Sequence, residues 1–208
     1  MSQAHSLLPF GPGQTFNDLD TDGTTVTMPW LEGHEFEVED YEAPSGSGSV
    51  ARRTGWVRRY RVVRNSAGIA LSAKYLVQFS TTAGHYGKRV VGYNETLARK
   101  AYPVDDRLST TVTSLHLFLI GVGGPFLCIT HPVGDGTNVI SVGDKLVAES
   151  AAASTVATTA GRVVPQVLTG ATALLANQIQ NYVGHALSAK TTANTNADIL
   201  VLIEHRIP

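Results

Sequence analysis

The acidic run Asp18-Leu-Asp-Thr-Asp-Gly23 comes closest to a metal site in this sequence. In calcium loops of the EF-hand type, oxygen ligands alternate along the first positions, and a glycine at the sixth position turns the chain around the ion. The twelfth position needs a bidentate glutamate, but here it is Pro29, and Glu32 comes three residues too late. We therefore predict an aspartate-rich turn and no metal site.

No other pattern predicts catalysis. Glu35, Glu37 and Glu39 alternate and share one face of a strand, but three like charges in a row are more typical of a solvated or partner-facing strip than of a glycosidase pair. Cys128 lies in an apolar run, as a small buried side chain does. The histidines show no pair at metal-ligand spacing; they are His5, His34, His85, His116, His131, His185 and His205. We expect no catalytic residue, no cofactor and no enzymatic activity.

The glycine run Gly121-Val-Gly-Gly124 resembles a phosphate-binding loop only superficially. It is followed by Pro125 and an apolar run, and not by a helix whose N-terminus could hold an anion. Glycine also supplies the backbone conformations that a tight turn needs. We therefore predict a hairpin turn between strands at residues 115–120 and 126–130.

Charge divides the chain into two parts. Residues 1–50 contain nine acids and no lysine or arginine, and residues 52–64 contain six arginines and no acid. Between them, Ala-Pro-Ser-Gly-Ser-Gly-Ser at residues 43–49 has the composition of a flexible linker. We interpret residues 1–50 as an acidic, extended N-terminal arm with its linker, anchored by Trp30, Phe36 and Tyr41, and residues 51–208 as a β-rich domain.

The arginine block favours contact with protein. In an extended strand Arg53, Arg59 and Arg61 lie on one face, and Arg52, Arg58 and Arg64 lie on the other. A solvated edge strand is the simplest interpretation. The alternative is docking, through Arg58, Arg59 and Arg61, onto an acidic protein surface such as the arm of a neighbouring copy. Nucleic-acid binding through these arginines with Trp56 and Tyr60 is a third possibility, which the chain's balance of charge disfavours.

Composition favours a mainly β protein without a membrane segment. The formal net charge of −1 argues against coating nucleic acid or an anionic membrane. No signal peptide or long apolar stretch is apparent, so we expect synthesis in the cytoplasm. Turn residues separate short apolar runs, which predicts an open or closed β barrel or a sandwich. Strands are predicted at residues 56–63, 74–79, 88–93, 115–120, 126–130, 145–148, 163–168, 182–187 and 199–204.

Five segments of the chain follow one another in an order of strands and glycine-containing turns. They are Trp56-Val-Arg-Arg-Tyr-Arg-Val-Val-Arg-Asn-Ser-Ala-Gly-Ile-Ala-Leu71, His116-Leu-Phe-Leu-Ile-Gly-Val-Gly-Gly-Pro-Phe-Leu-Cys-Ile-Thr130, Ser141-Val-Gly-Asp-Lys-Leu-Val147, Ile179-Gln-Asn-Tyr-Val-Gly-His-Ala-Leu-Ser-Ala189 and Ile199-Leu-Val-Leu-Ile203. On these segments, residues 56–204 resemble tailed-bacteriophage capsid cement or decoration proteins. The resemblance implies a β-tulip-like or barrel-like decoration domain, assembled as a trimer on the outer capsid, with an N-terminal segment that reaches across capsid subunits. It implies no catalytic residues.

These observations predict a virion structural protein on the capsid exterior, with the major capsid protein and further copies of itself as partners and with no nucleic-acid or membrane partner. Strand addition by the arm would supply the contact with the shell. The alternative is a carbohydrate- or receptor-binding β module displayed on a virion, with Trp56, Tyr60 or Tyr86 lining a groove. An enzyme that uses the arm's carboxylates is the least favoured reading.

Overall fold

The computed structural model describes residues 8–21, 23, 25–42, 52–93, 100–130, 139–148, 161–166, 182–190 and 197–204. These residues are mainly β, as the sequence predicts. One turn of 3-10 helix, Pro29–Leu31, precedes the strands. The strands are β1 (Glu35–Glu42), β2 (Arg52–Asn65), β3 (Leu76–Phe79), β4 (Arg89–Gly92), β5 (Ala101–Pro103), β6 (Leu117–Ile129), β7 (Lys145–Ala148), β8 (Val163–Pro165), β9 (Tyr182–Ala186) and β10 (Asp198–Ile203).

The described strands form one open, mostly antiparallel sheet. Its order is β5-β3-β4-β2-β6-β10-β9-β7-β8, and β1 pairs with β2 beside this path. Strands β2 and β4 run parallel, joined at Arg64–Arg89 and Asn65–Val90, and an isolated parallel bridge joins Thr130 to Val163. The mainly β class is therefore confirmed, but this part of the chain does not close into the predicted barrel.

Apolar side chains cover both faces of the sheet. Along β6, Leu117 and Leu119 pack in one hydrophobic cluster, and Phe118 and Ile120 pack in another on the opposite face. A strand that is buried on both faces has an almost continuous apolar sequence, which is the pattern of residues 117–120. The centre of the fold is therefore the long strand β6, with its neighbour β2.

The predicted hairpin turn at residues 121–125 is wrong. These residues continue β6, which pairs with β2 as far as Gly123 and with β10 from Gly124 onward. Gly124 has a φ of +92°, and a Cβ there would overlap the carbonyl oxygen of Val57 on β2. The Phe126 ring lies 2.7 Å from where a Gly121 Cβ would be. The glycines thus permit close packing inside a strand that changes partners.

The described residues of the predicted arm lie on this sheet. Phe10, Leu31 and Phe36 are buried in the same hydrophobic cluster as Leu117. The backbones of Phe16 and Leu117 exchange two hydrogen bonds of 2.9 Å. The division of the chain at residue 50 stays a prediction, and the proposed linker at 43–49 is outside the described residues. No helix in the described ranges is long and apolar enough to cross a bilayer.

Candidate interaction surface

Strands β1 and β2 form an antiparallel ribbon, here called the β1–β2 ribbon, with a ladder of ion pairs on one face. Glu35 lies opposite Arg61 and Glu37 lies opposite Arg59. The Arg61 Nε donates to Glu35 Oε1 at 2.7 Å, and the Arg59 Nε donates to Glu37 Oε1 at 2.9 Å. Cross-strand pairs of opposite charge hold two strands in register. Two of the predicted docking cations are therefore paired with the acidic segment of their own chain.

Phe36, a predicted arm anchor, lies on the other face of the ribbon and is buried. Its ring stacks on Tyr60 with centroids 5.7 Å apart, and Tyr60 meets Phe126 edge to face at 5.1 Å. Tyr60 itself is fully buried, so it does not line a groove. Burial raises the pKa of the Tyr60 hydroxyl far above its usual value. These three rings attach the ribbon to β6.

Arg58, the third predicted docking cation, is buried beside Phe36 and Tyr60. Its Nε lies 2.6 Å from Asp40 Oδ1, and its Nη1 donates to Asp106 Oδ1 at 2.7 Å. Its guanidinium also lies over the Phe126 ring, 5.1 Å from the centroid. A buried charge needs such partners, because desolvation is otherwise costly. In this structure Arg58 therefore stabilises the fold.

A second buried ion-pair group joins the acidic segment to the end of β2. Arg64 is fully buried and donates to both carboxylate oxygens of Asp18, at 2.6 and 2.8 Å, and to Glu32 Oε1 at 2.5 Å. The other Glu32 oxygen accepts from Arg89 Nε at 3.0 Å. Asp18, the first residue of the calcium-like run, thus binds a guanidinium. Among the described residues, no three His, Cys, Asp or Glu are placed to hold a metal.

The environment of Asp18 favours its charged form. Burial alone would raise the pKa of this carboxyl, but the hydrogen bonds and charge of Arg64 lower it, as does the backbone N–H of Met28 at 3.1 Å. The net result is a pKa below the ordinary value for aspartate. Asp18 is therefore ionised in the folded protein at neutral pH, and its charge is matched by Arg64.

Asp105 ties a third part of the acidic segment to the sheet. It is fully buried, and its carboxylate accepts from the backbone N–H of Gly13 at 2.5 Å and of Arg107 at 3.2 Å. Burial raises the pKa of Asp105 above its ordinary value, although both hydrogen bonds act in the opposite direction. Buried carboxylates therefore join the acidic segment to the rest of the fold at four points: Asp18, Glu32 and Asp40 contribute their own, and Gly13 donates to that of Asp105.

The free end of the β1–β2 ribbon extends beyond the rest of the sheet. Pairing between β2 and β6 ends at Arg59, and before that residue β2 pairs with β1 alone among the described strands, including at Val57, Arg53 and Arg52. The register shifts between Val57 and Arg53. Trp56 lies in this irregular part, and Trp56 and Val57 are 45% and 47% exposed. Along the described chain, β1 has a strand neighbour on only one of its edges. This free end and open edge are a candidate surface for another protein.

The two other predicted anchors lie in different positions. Trp30 is on the 3-10 turn and is 69% exposed, so it is accessible to a partner. Tyr41 belongs to β1 and is paired in register with Arg53 near the free end of the ribbon. Their role in binding a capsid stays a prediction.

The described histidine and cysteine positions do not form a recognisable catalytic centre. His185 Nδ1 lies 2.8 Å from the Tyr182 hydroxyl and 3.0 Å from Glu204 Oε1 on the surface of β9 and β10. Cys128 is fully buried, and burial raises its pKa far above the ordinary value for a thiol. The prediction that the protein is not an enzyme remains a prediction.

No family model matches this chain, and no curated protein matches it. Among solved structures, the chain is similar to the head fiber gp8.5 N base of bacteriophage phi29. The two are 13% identical over 70% of this chain and 93% of that chain, with a TM-score of 0.38. At this identity and TM-score, the likeness carries no argument about function.

Proposed function

We propose that this chain is a structural protein of a bacteriophage particle that binds the outside of the capsid shell and stabilises it. The protein class comes from the resemblance of residues 56–204 to cement and decoration proteins. The structural observation that carries the proposal is the β1–β2 ribbon, in which Trp56 and Val57 are exposed and β1 has a neighbour on one edge only among the described strands. Both features suit attachment to another protein.

Strand addition is the proposed mode of contact. An edge strand can offer backbone N–H and C=O groups to an extended segment of a partner, here the major capsid protein. Trp56 of β2 would supply apolar contact area on the same ribbon, because aromatic residues dominate the energy of many interfaces. The three ion pairs of the ladder, Glu35–Arg61, Glu37–Arg59 and Glu39–Arg53, hold the ribbon in one conformation. A partner would therefore meet a preorganised surface, which lowers the cost of binding.

The charges of the ladder also indicate which kind of partner the ribbon suits. Its three glutamates and three arginines cancel in charge, so this face presents alternating signs and no strong field. We therefore do not expect this face to attract its partner through a field of one sign, as nucleic-acid-binding proteins do. On a symmetric shell, many copies with modest individual affinity would stabilise the particle together, and assembly as a trimer would multiply the contacts of each unit.

The test uses shells of the encoding phage that lack this protein. The protein and its variants are mixed with the shells, and bound copies are measured after sedimentation. We expect Trp56→Ala to weaken binding at least tenfold while the far-ultraviolet circular dichroism and the Tm stay close to those of the wild type. The matched control is Val142→Ala, an exposed apolar residue at 65% on the turn before β7, which we expect to bind as the wild type does. Equal binding by Trp56→Ala and the wild type would contradict the ribbon contact.

A further inference from the structure

Three aromatic rings meet at the other end of the β1–β2 ribbon. Phe79 of β3 is buried, and the rings of Tyr86 and Tyr102 lie 5.5 and 5.1 Å from it, tilted by 58° and 52°. Tyr86 follows β3 on the turn at residues 82–88 and is 56% exposed. Phe79 thus holds an exposed tyrosine ring in a defined orientation on the surface.

A fixed ion pair lies beside these rings. The Arg61 guanidinium is over the Phe79 ring, 5.5 Å from its centroid, and its Nε donates to Glu35 Oε1 at 2.7 Å. Both side chains remain partly exposed. Burial raises the pKa of the Tyr102 hydroxyl, as do the charges of Tyr86 and Glu35, whereas the charge of Arg61 lowers it. We call Glu35, Arg61, Tyr86 and Tyr102 around Phe79 the Tyr86 surface.

This combination fits a sugar ring. A pyranose has an apolar face of C–H groups, which packs on an aromatic ring, and a rim of hydroxyls, which needs planar donors and acceptors in fixed positions. Tyr86 supplies an exposed ring, and Arg61 and Glu35 supply donors and acceptors that their mutual bond has already oriented. Because the charges of Arg61 and Glu35 cancel, a neutral sugar suits the pair better than an anion.

We propose that the Tyr86 surface binds a neutral hexopyranose unit of a glycan. This binding does not depend on the capsid contact, since Val57 lies opposite Glu39, four residues along the ribbon from the Glu35–Arg61 pair. A virion protein with both surfaces would attach to the shell at one end and hold a carbohydrate at the other. Tyr86, and not the buried Tyr60, is then the aromatic residue that determines sugar binding.

The test is a titration of the isotope-labelled full chain by nuclear magnetic resonance. The probes are methyl β-glucopyranoside, methyl β-galactopyranoside and N-acetylglucosamine, each added separately to millimolar concentration. We expect at least one probe to shift the resonances of Tyr86, Tyr102 and the Arg61 side chain in a saturable way. No saturable shift at these residues with any of the three probes would overturn the proposal.

Three variants separate sugar binding from a merely structural role of Tyr86. Tyr86→Ala is expected to weaken binding of the responding probe at least tenfold, whereas Tyr86→Phe keeps the ring and is expected to stay within about threefold of the wild type, a difference under about 1 kcal/mol. Trp56→Ala, an exposed aromatic residue outside the surface, is expected to bind the probe as the wild type does. Wild-type affinity in Tyr86→Ala would contradict the proposal. Shell binding by Tyr86→Ala is expected to be unchanged, which distinguishes this site from the capsid contact.

Discussion

The guanidinium of Arg64 binds both carboxylate oxygens of Asp18, a residue 46 positions earlier in the chain. Both side chains are fully buried, and Glu32 completes the group. Asp18 and Glu32, which precede β1, are therefore neutralised by arginines of the same molecule. The described residues before β2 thus pack on the sheet, and Arg64 of β2 depends on two of them for its charge balance.

Loss of the Asp18 carboxylate should be costly. Asp18→Ala leaves Arg64 buried with one carboxylate where it had two, and breaking a buried ion pair in this way costs about 3–5 kcal/mol. We expect that fall in the free energy of unfolding, measured by urea denaturation. The control is Glu37→Ala in the half-exposed ladder, for which a loss of about 1 kcal/mol or less is expected. Similar losses in the two variants would contradict the assigned burial of Asp18.

The same carboxylate should make stability depend on acid pH. Because the pKa of Asp18 is lower in the folded protein than in the unfolded chain, its contribution is complete above the ordinary aspartate value of about 4. That contribution is lost as the pH falls from there through the folded-state pKa. We expect the free energy of unfolding to decrease below about pH 4, and Asp18→Asn to flatten that decrease. An unchanged slope in Asp18→Asn would show that other carboxylates cause it.

Asp105 is expected to affect the pH dependence of stability in the opposite direction, which gives a further test. Its pKa is raised by burial, so ionisation between the unfolded and folded values costs stability as the pH rises. Asp105→Asn removes that cost but keeps one acceptor oxygen, so the N–H of Gly13 or of Arg107 loses its partner; this loss lowers stability by the same amount at every pH. Relative to the wild type, we expect this variant to gain stability as the pH rises above about 4, measured by thermal unfolding. A relative loss over that range would contradict the raised pKa.

The alternation of apolar and polar residues, together with the turn residues between the runs, predicted much of the sheet. The strands expected at 145–148, 182–187 and 199–204 correspond to β7, β9 and β10 within one residue at each end. The face shared by Arg59 and Arg61 is also as predicted. These features are local, because the pleat places every second side chain on one face. The three-residue strand β5 was not predicted, since so short a run has no measurable alternation.

The features that the sequence did not predict depend on contacts between residues far apart in the chain. Gly-Gly-Pro is locally typical of a turn, but in β6 the glycines let β2 approach, and the strand continues because β10 pairs with its second half. The sequence showed two blocks of opposite charge. It did not show whether the arginines pair with acids of the same copy or of a neighbouring copy. Nothing in the types or spacing of Asp18, Glu32 and Arg64 indicated that they would be buried together.

Close packing at Gly124 gives a second test of β6. Gly124→Ala places a methyl group against the Val57 carbonyl and also opposes a positive φ, so we expect a loss of about 3 kcal/mol or more. The control is Gly143→Ala, where φ is +91° but the space around the position is open. For this control we expect only the loss of stability caused by the positive φ, about 1–2 kcal/mol. Equal losses in urea denaturation would mean that β2 and β6 are not in close contact at this point.

The most direct measurement of the central claim is the number of copies that bind to shells lacking this protein. Shells are titrated with the purified wild-type chain, the bound mass is measured by sedimentation, and the free protein is sized by light scattering. The proposed function predicts saturation at a fixed number of copies related to the symmetry of the shell, with bound shells more resistant to heat. Absence of saturable binding, or binding that leaves shell stability unchanged, would contradict the claim that this protein stabilises a capsid.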